Sequence, residues 1–387
     1  MRQLSERTSG FTDSVIRRMT RVSQRYGAVN LSQGFPDFEP PREILERLAR
    51  VALDGPHQYS LTWGAQNFRE ALAEKQSRFM GRRIDPDKEI VVTCGSTEAM
   101  MAAMMTLVDP SDKVIVFSPF YENYGADAIL SGAEPIYVPL EPPCFKFSEE
   151  ALELAFRSRP KALILCNPSN PCGKVFTRDE LLVIAALAQK YDAYVITDEV
   201  YEHIVYAPHE HTYIASLPGM FERTVSCSSL SKTYSVTGWR LGYIIAPEAV
   251  IDVAKKVHDF LTVGAAAPLQ EAAAVGLRFG DGYYRALLRE YTEKRELFLN
   301  GLDTLGIGHT VPEGAYYVML DISEYNCESD VEFCERLAEE VGVGAVPGSV
   351  FFREDIRHLI RLHFAKRNDT LQEALNRLEH MRKKMRR

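Results

Sequence analysis

The chain has 387 residues, of which 46% are hydrophobic and 25% are charged, a composition typical of a soluble globular protein. Because this length exceeds what one compact core usually accommodates, two domains are expected. The formal net charge is −8, and there is no long basic run before the tail Arg382–Arg387, which argues against nucleic acid as the main partner. The tail itself is interpreted as the solvated end of a helix.

The sequence also indicates a compartment. No apolar run approaches membrane-spanning length, and the first ten residues lack the apolar core of a signal peptide. The seven cysteines include no C-x-x-C pair, and their odd number favours reduced thiols. We therefore expect a cytoplasmic protein with no membrane partner and no metal site.

Hydrophobic periodicity predicts a helix over Asp13–Tyr26, a short strand over Val29–Leu31, and helices that begin near Pro41 and Gly64. Short apolar runs then alternate with helices at Ser96–Leu107, Glu122–Ser131 and Asp179–Tyr191. The predicted strands here are Ile90–Thr93, Lys113–Phe117, Pro135–Val138, Ala162–Cys166, Ala193–Thr197, Thr224–Cys227 and Tyr243–Ala246. This alternation predicts a mostly parallel α/β sheet with helices on both faces.

The pattern changes after Ala246. It is helical through about Thr304, and the remaining predicted elements are sparse. They are strands at Ala315–Leu320 and Leu359–Phe364, a helix at Asp330–Glu340, and a helix from Thr370 onward. They indicate a smaller α+β domain.

Ligands of parallel sheets bind at the carboxyl ends of the strands, so the residues that follow each strand are candidates. Ser96 and Thr97 follow the first, in C-G-S-T-E, where Gly95 allows close backbone approach and Ser96 is a helix N-cap candidate. Tyr121 follows the second, in S-P-F-Y-E. A plain capped helix is an equally good interpretation of Ser96 and Thr97 alone, and a core or surface tyrosine is the better interpretation of Tyr121 alone.

Two later strands end in more distinctive motifs. N-P-S-N-P-C-G fixes Asn170 in a turn with two Asn-Pro pairs, and D-E-V-Y-E places Asp198 and Tyr201 near the same edge. A structural turn and an Asp cap are the alternatives.

The stretch Ser228–Tyr243 places Lys232 among hydroxyl residues, eight positions before Arg240. These two cations can converge on one small anion, with Gly238 expected to turn the backbone so that Arg240 faces the site. An ordinary polar loop is the alternative.

Together these residues suit a planar ligand that is anionic at one end and contains a ring nitrogen, as pyridoxal phosphate does. Lys232 would form a Schiff base with its aldehyde. Asp198 would keep the ring nitrogen protonated, so that the ring acts as an electron sink. The phosphate would be bound by Ser96, Thr97, Ser229 and Arg240. The ring face and the phenolate oxygen would be contacted by Tyr121, Asn170 and Tyr201.

The motifs N-P-S-N-P-C-G, D-E-V-Y, S-L-S-K-T-Y and T-G-W-R-L-G-Y resemble, in this order, those of the fold-type I pyridoxal-phosphate-dependent aminotransferases of classes I and II. The resemblance runs from L-S-Q-G-F-P-D-F to L-I-R-L-H-F-A. It implies a large cofactor-binding domain over 41–285 with a mostly parallel seven-stranded sheet. It also implies a small α+β domain built from both chain ends, 1–40 and 286–387.

The resemblance further implies roles for particular residues. Lys232, Asp198 and Tyr201 would be catalytic, with Lys232 moving the α-proton. Arg361 would bind the substrate α-carboxylate, assisted by Gly34 and Asn170. Tyr59 would reach the phosphate of a neighbouring subunit, which implies a homodimer with shared active sites. Cys172 stands where the family often has Thr, and is not interpreted as catalytic.

The segments around H-Q-Y, V-H-D-F-L-T and D-V-E-F-C look most like the kynurenine/glutamine and methionine aminotransferase branch. That branch implies bulky neutral donors, such as Met, Gln, Phe or kynurenine, and a 2-oxo acid acceptor in a ping-pong reaction. Thr97 stands where some aspartate enzymes carry Lys, so no distal cation is evident. The aromatic residues expected to line an apolar pocket are Phe11, Phe35, Tyr59 and Trp63.

Parts of the sequence are also compatible with other functions. A carbon–sulfur β-lyase of the same fold and an aspartate or aromatic aminotransferase stay open at this point. A non-catalytic ligand-sensing domain is disfavoured because all the catalytic residues are present. A nicotinamide dehydrogenase is disfavoured because no G-x-G-x-x-G follows an early strand.

Overall fold

The computed structural model describes residues 11, 13–325 and 327–385. The first ten residues, on which the expectation of no signal peptide rests, and the tail residues Arg386 and Arg387 lie outside the described residues. Within the described part of the chain, no helix has both the length and the apolar character needed to cross a membrane.

Strands and helices alternate through the middle of the chain, as their periodicity predicts. The strands are β1 (Val29–Asn30), β2 (Ile90–Thr93), β3 (Lys113–Ser118), β4 (Glu134–Pro139), β5 (Ala162–Cys166), β6 (Tyr194–Asp198), β7 (Thr224–Ser229), β8 (Gly242–Ile245), β9 (Tyr317–Asp321), β10 (Val343–Gly344), β11 (Val346–Pro347) and β12 (Leu359–His363). The helices are α1 (Val15–Arg25), α2 (Arg42–Asp54), α3 (Gln66–Met80), α4 (Ser96–Leu107), α5 (Asn123–Leu130), α6 (Glu149–Arg157), α7 (Arg178–Tyr191), α8 (Glu248–Thr262), α9 (Ala267–Leu277), α10 (Asp281–Leu305), α11 (Asp330–Arg336), α12 (Asn368–Leu378) and α13 (Met381–Met385).

The central sheet has seven strands in the order β2-β8-β7-β6-β5-β3-β4. Only β8 runs antiparallel to its neighbours, β2 and β7, and the remaining pairs are parallel. The predicted mostly parallel α/β fold is therefore confirmed. Strands such as Ala162–Cys166 are apolar throughout because helices cover both faces of the sheet.

Two helical predictions differ from the structure. Glu149–Arg157 forms α6, capped by the Ser148 side chain and with two acidic residues in its first turn, although no helix was predicted there. The helix expected over Asp330–Glu340 ends at Arg336, and a π-helical turn over Leu337–Val341 follows it. Such π-turns are rare and leave little trace in a 3.6-residue pattern.

The parallel register aligns the strand ends that carry the site. Cys166 at the end of β5 pairs with Asp198 at the end of β6, and Asp198 pairs in turn with Cys227 on β7. The segments that leave these strands therefore emerge at one edge of the sheet, where parallel sheets bind ligands.

A second, antiparallel sheet in the order β11-β12-β9 carries Arg361 on its central strand. Near it, β1 from the start of the chain pairs in parallel with β10, joining Val29 to Val343. The 25-residue helix α10 spans the boundary expected at residue 285. The division into domains at 40 and 285 stays a prediction.

Candidate active site

A cavity of about 430 Å³ opens at the carboxyl edge of the central sheet, a size that suits a small-molecule ligand. It brings together all but one of the residues expected from the sequence to form the site. Those lining it are Gly34, Ser96, Thr97, Tyr121, Asn170, Asp198, Tyr201, Ser229, Lys232, Arg240 and Arg361. The exception is Tyr59, which lies outside the cavity and is 87% exposed in the single chain.

Lys232 lies in the loop between β7 and β8, and its Nζ donates a hydrogen bond to the Gly34 carbonyl oxygen at 3.0 Å. Burial, together with the Arg240 guanidinium, lowers the pKa of Lys232 to about 8. Because a lysine becomes nucleophilic only as the neutral amine, this shift makes Lys232 reactive near neutral pH.

The loop that presents Arg240 approaches the turn before α4 very closely. A Cβ on Gly95, which has φ +83°, would lie 2.3 Å from Arg240 Nη2, so only glycine fits there. Glycine at position 95 thus lets the Arg240 side chain lie against the backbone here. The role expected for Gly238 is wrong, because its surroundings are open and Arg240 itself takes the left-handed conformation, with φ 52°.

The first turn of α4 faces the same region. Gly95 is the N-cap residue, and no side chain caps this helix. The expectation that Ser96 is the N-cap is therefore wrong. Ser96 is the first helical residue, and its hydroxyl is not used for capping. A helix N-terminus with hydroxyls in its first turn, beside an arginine, is suited to binding an anion, and we refer to this group as the anion-binding site.

Ser229 and Ser231 line the cavity near this anion-binding site. Ser231 was not singled out from the sequence. The S-x-S-K spacing, which puts two hydroxyls just before the lysine, is the signal that would have found it.

Asp198 ends β6 and is buried. Its Oδ2 accepts a hydrogen bond from the Tyr124 hydroxyl at 2.8 Å, and its Oδ1 accepts from the Val200 N–H at 3.4 Å. Burial raises the pKa of Asp198, because the charged carboxylate has lost the water that would stabilise it. Tyr124 was missed, although the Y-E-N-Y spacing puts it one helical turn after Tyr121.

Arg361 is 1% exposed, so a surface arginine at a strand edge is excluded. Its Nη1 donates to Asn170 Oδ1 at 2.7 Å and its Nη2 donates to the Ser32 carbonyl at 2.8 Å. The guanidinium lies over the rings of Tyr317 and Phe351, 4.4 and 4.7 Å from their centroids. The buried Nε has no hydrogen-bond partner among the described residues, and a carboxylate ligand would supply one.

Two neighbouring tyrosines were missed: Tyr317, which lines this wall of the cavity, and Tyr316, which supports Gly34. The Tyr317 and Tyr201 hydroxyls lie 2.9 Å apart, and the Tyr316 hydroxyl donates to the Gly34 carbonyl at 2.9 Å. A Cβ on Gly34 would lie 2.3 Å from Tyr317 Oη, so a residue with a side chain does not fit at this position. The adjacent pair in G-A-Y-Y carries no local signal that both rings point inward.

The segment that carries Asp198 and Tyr201 also carries Glu202, whose hydrogen bonds anchor it to neighbouring elements. This buried carboxylate accepts hydrogen bonds from Lys75 at 2.7 Å, from Tyr213 at 2.7 Å and from Gln76 at 3.1 Å. Burial alone would raise the pKa of Glu202. The Lys75 ammonium nevertheless holds this pKa well below its ordinary value. A fully hydrogen-bonded buried charge fixes its backbone, so Glu202 stabilises the position of Tyr201.

The apolar pocket expected from the sequence forms only in part. Of the four aromatic residues proposed for it, only Phe35 lines the cavity. Trp63 packs under Lys255, whose Nζ lies 5.0 Å from its ring centroid. Ile16 and Arg17 of α1, which were not expected, do line the cavity.

Comparison with known proteins decides the family. Residues 26–378 match the family model "Aminotransferase class I and II". The chain belongs to the class I and II aminotransferases. It is 38% identical to a methionine aminotransferase of Escherichia coli over 95% of this chain and 96% of that one. It is 35% identical to mouse kynurenine–oxoglutarate transaminase 3, covering 96% and 88% of the two chains.

Solved structures agree with this assignment. The crystal structure of the protein YbdL from Escherichia coli, described as having a methionine aminotransferase function, superposes with a TM-score of 0.94 at 37% identity, over 98% of this chain and all of that one. The N-succinyldiaminopimelate aminotransferase of Mycobacterium tuberculosis superposes with a TM-score of 0.94 at 36% identity, over 97% and 99% of the two chains. The predicted family and fold are thus confirmed.

Aminotransferases of this family use pyridoxal phosphate, and the cavity of this one fits that cofactor. The anion-binding site formed by Ser96, Thr97 and Arg240 suits a phosphate. Asp198 is buried with a raised pKa, and a protonated ring nitrogen would compensate its carboxylate. Lys232, with its lowered pKa, would hold the aldehyde end.

A further buried acid lies behind the aminotransferase site. Asp127 is on α5, one turn after Tyr124, and its Oδ2 has no hydrogen-bond partner among the described residues. Burial, and then the nearby Asp198 charge, raise the pKa of Asp127 to about 8. An aspartate within a short helix is usually exposed, so the burial of Asp127 could not be predicted from the sequence.

The raised pKa of Asp127 predicts that this residue makes the stability of the cofactor-free protein depend on pH. Asp127 keeps its proton in the folded state up to about pH 8, whereas in the unfolded chain it ionises near pH 4. Since the folded state then binds this proton more tightly, the contribution of Asp127 to wild-type stability falls as the pH rises from about 4 to about 8. Asp127→Asn should flatten this dependence and raise Tm at pH 8 by on the order of a few degrees relative to wild type.

Thermal melts at a series of pH values check this prediction. Asp252→Asn, which replaces an exposed aspartate on α8, is the matched control and should follow the wild-type curve. Parallel curves for wild type and Asp127→Asn would show that Asp127 is already ionised in the folded state.

Proposed function

We propose that this aminotransferase moves the amino group of a bulky neutral L-amino acid to a 2-oxo acid in a ping-pong reaction. The observation that carries the proposal is the convergence of Lys232, Asp198 and Arg361 in one cavity. The names of the relatives, which include a methionine aminotransferase and a kynurenine–oxoglutarate transaminase, support a neutral donor.

The residues of the cavity have separate roles in this reaction. Arg361 and Asn170 bind and orient the α-carboxylate, using the buried guanidinium that Tyr317 and Phe351 hold in place. Pyridoxal phosphate, when bound, supplies the electron sink that makes the α-proton of the amino acid acidic. Lys232 Nζ accepts that proton as a neutral amine and returns it as an ammonium group.

The other residues hold the cofactor. Asp198, as a carboxylate, keeps the ring nitrogen protonated, and the Tyr124 hydroxyl fixes its orientation. Because Asn170 Oδ1 is already bound to Arg361, its amide N–H₂ is left to donate to the phenolate oxygen, as does the Tyr201 hydroxyl. Ser96, Thr97, Ser229 and Arg240 bind the phosphate.

The assignment of Lys232 is tested by Lys232→Ala. We expect kcat to fall by about 10³-fold or more, since both the covalent attachment and the proton transfer are lost. Borohydride reduction of the holoenzyme, followed by peptide mass spectrometry, should place the cofactor on Lys232 in the wild type and on no lysine in the variant. Lys256→Ala, at an exposed position on α8, should behave as wild type.

Substrate preference is tested by a panel of amino donors. We expect kcat/KM for methionine, phenylalanine or kynurenine to exceed that for aspartate by about 10-fold or more, because Ile16, Phe35 and Tyr121 line the cavity. Aspartate as the best donor would overturn the proposed donor class. Cystathionine without an oxo-acid acceptor is the control, since pyruvate release would instead mark a β-lyase.

We also propose a homodimer in which Tyr59 reaches the phosphate of the neighbouring subunit. Tyr59 and Phe260 are 87% and 91% exposed, and their segments are joined by a 3.0 Å contact between His258 Nε2 and the Thr62 carbonyl. Other exposed apolar residues of these segments are Leu61, Leu261 and Val263. A contiguous exposed apolar patch of this kind is typical of an interface between subunits.

Phe260→Glu tests this interface. Placing a charge in the patch should weaken the dimer by about 100-fold, and turnover should fall with it because the site would lose Tyr59 of the partner subunit. Leu154→Glu, at an exposed apolar position on α6, is the control. Analytical ultracentrifugation gives the masses, and a monomeric wild type would contradict the proposal.

We place the protein in the cytoplasm. All seven cysteines are free, and burial raises the pKa of Cys172, which keeps its thiol protonated and unreactive. Unpaired thiols suit a reducing compartment. Cell fractionation tests this placement, and recovery of the protein among exported proteins would contradict it.

A further inference from the structure

The mouth of the cavity is formed partly by the start of helix α1. Ser14, Ile16 and Arg17 line the cavity there, opposite Tyr121 and Glu122. Arg361 lies at the buried wall of the same cavity, whereas Arg17 is exposed at its opening. The cavity therefore has one arginine inside and a second at its mouth.

Ser14 fixes the position of this first turn. Its hydroxyl donates a hydrogen bond to Glu122 Oε1 and accepts one from the Arg17 backbone N–H at 3.4 Å. A serine hydroxyl can do both at once. The Arg17 backbone is thus tied, through Ser14, to the segment that also carries Tyr121.

Arg17 differs from Arg18 and Arg21 on α1, because its guanidinium has no partner among the described residues. Arg18 forms an ion pair with Glu335, and Arg21 forms one with Asp13. The Arg17 guanidinium has no ion-pair or side-chain hydrogen-bond partner within the ranges 13–325 and 327–385. All five of its N–H donors are therefore free for a ligand.

The charges around the cavity favour an anionic ligand. Among the described lining residues there are two carboxylates, Asp198 and Glu122, against four cations, Arg17, Lys232, Arg240 and Arg361. Asp198 is assigned to the ring nitrogen, and one Glu122 oxygen is bound by Ser14. Arg240 is assigned to the phosphate and Arg361 to the α-carboxylate, which leaves Arg17 as the unassigned cation in a chain whose net charge is −8.

We infer that Arg17 binds the distal carboxylate of a dicarboxylic 2-oxo acid, and of the amino acid formed from it. The inference rests on the proposed function, because Arg361 must hold the α-carboxylate for the distal group to point toward the mouth. A guanidinium fork is suited to binding a carboxylate through two parallel hydrogen bonds. The neutral donor and the acidic acceptor would then share one cavity, and Arg17 would serve only the acidic substrate.

The experiment compares two 2-oxo acids that differ only at the distal end. The pyridoxamine phosphate form of the holoenzyme is mixed with 2-oxoglutarate, or with 2-oxopentanoate, in which a methyl group replaces the distal carboxylate. Single-turnover absorbance gives kcat/KM for each. For the wild type we expect 2-oxoglutarate to be favoured. Arg17→Gln should lower kcat/KM for 2-oxoglutarate by about 10-fold or more and change that for 2-oxopentanoate by less than about 2-fold.

Two further variants sharpen the result. Arg17→Lys keeps the charge but not the fork, so it should recover part of the preference for 2-oxoglutarate. Arg25→Gln removes an arginine from the other end of α1, away from the cavity, and should leave both rates unchanged. Glutarate binding, measured by calorimetry, gives a second readout without turnover, and its Kd should rise in Arg17→Gln but not in Arg25→Gln.

The outcomes separate the two proposals. A wild type that prefers 2-oxopentanoate, or an Arg17→Gln variant that slows both acids equally, overturns the role of Arg17. If the wild type processes neither acid and no amino donor reacts, the proposed function itself fails.

Discussion

The burial of charged side chains at the carboxyl edge of the central sheet is the constraint on which the site depends. Removing a charge from water is expensive unless hydrogen bonds and opposite charges replace the water. Arg361 receives only part of that replacement, from Asn170 and the Ser32 carbonyl, and Asp198 receives only a hydroxyl and one backbone N–H. The protein thus holds groups whose remaining partners, under the proposed function, are a substrate carboxylate and a protonated ring nitrogen.

The sequence was most informative where chemistry is local. Apolar runs of strand length located every strand of the central sheet, and the polar residues that follow them, such as Asn170 and Asp198, lie in the cavity because parallel strands share one carboxyl edge. The lysine loop was found in the same way. These predictions needed only the alternation of strands and helices, not the packing of distant segments.

The residues that were missed depend on contacts between distant segments. Tyr124 reaches Asp198 from 74 positions away, and Asp127 is buried in a helix that packs against α4 and β4. Arg17 lies at the cavity because α1 is tied to Glu122 through Ser14. Local backbone rules also failed once, since the left-handed residue in T-G-W-R is Arg240 rather than Gly238, two positions earlier.

The pairing of Val29 with Val343 also separates the two sides of the site in sequence. Apart from Tyr59 of the partner subunit, the groups assigned to the cofactor lie between Ser96 and Arg240, in the part of the chain that forms the central sheet and its lysine loop. Arg361 is added near the end, and the strand that carries Gly34 toward it must wait for a partner more than three hundred residues away. Contacts of such long sequence separation form slowly. The substrate side of the site therefore depends on contacts of longer sequence separation than its cofactor side does.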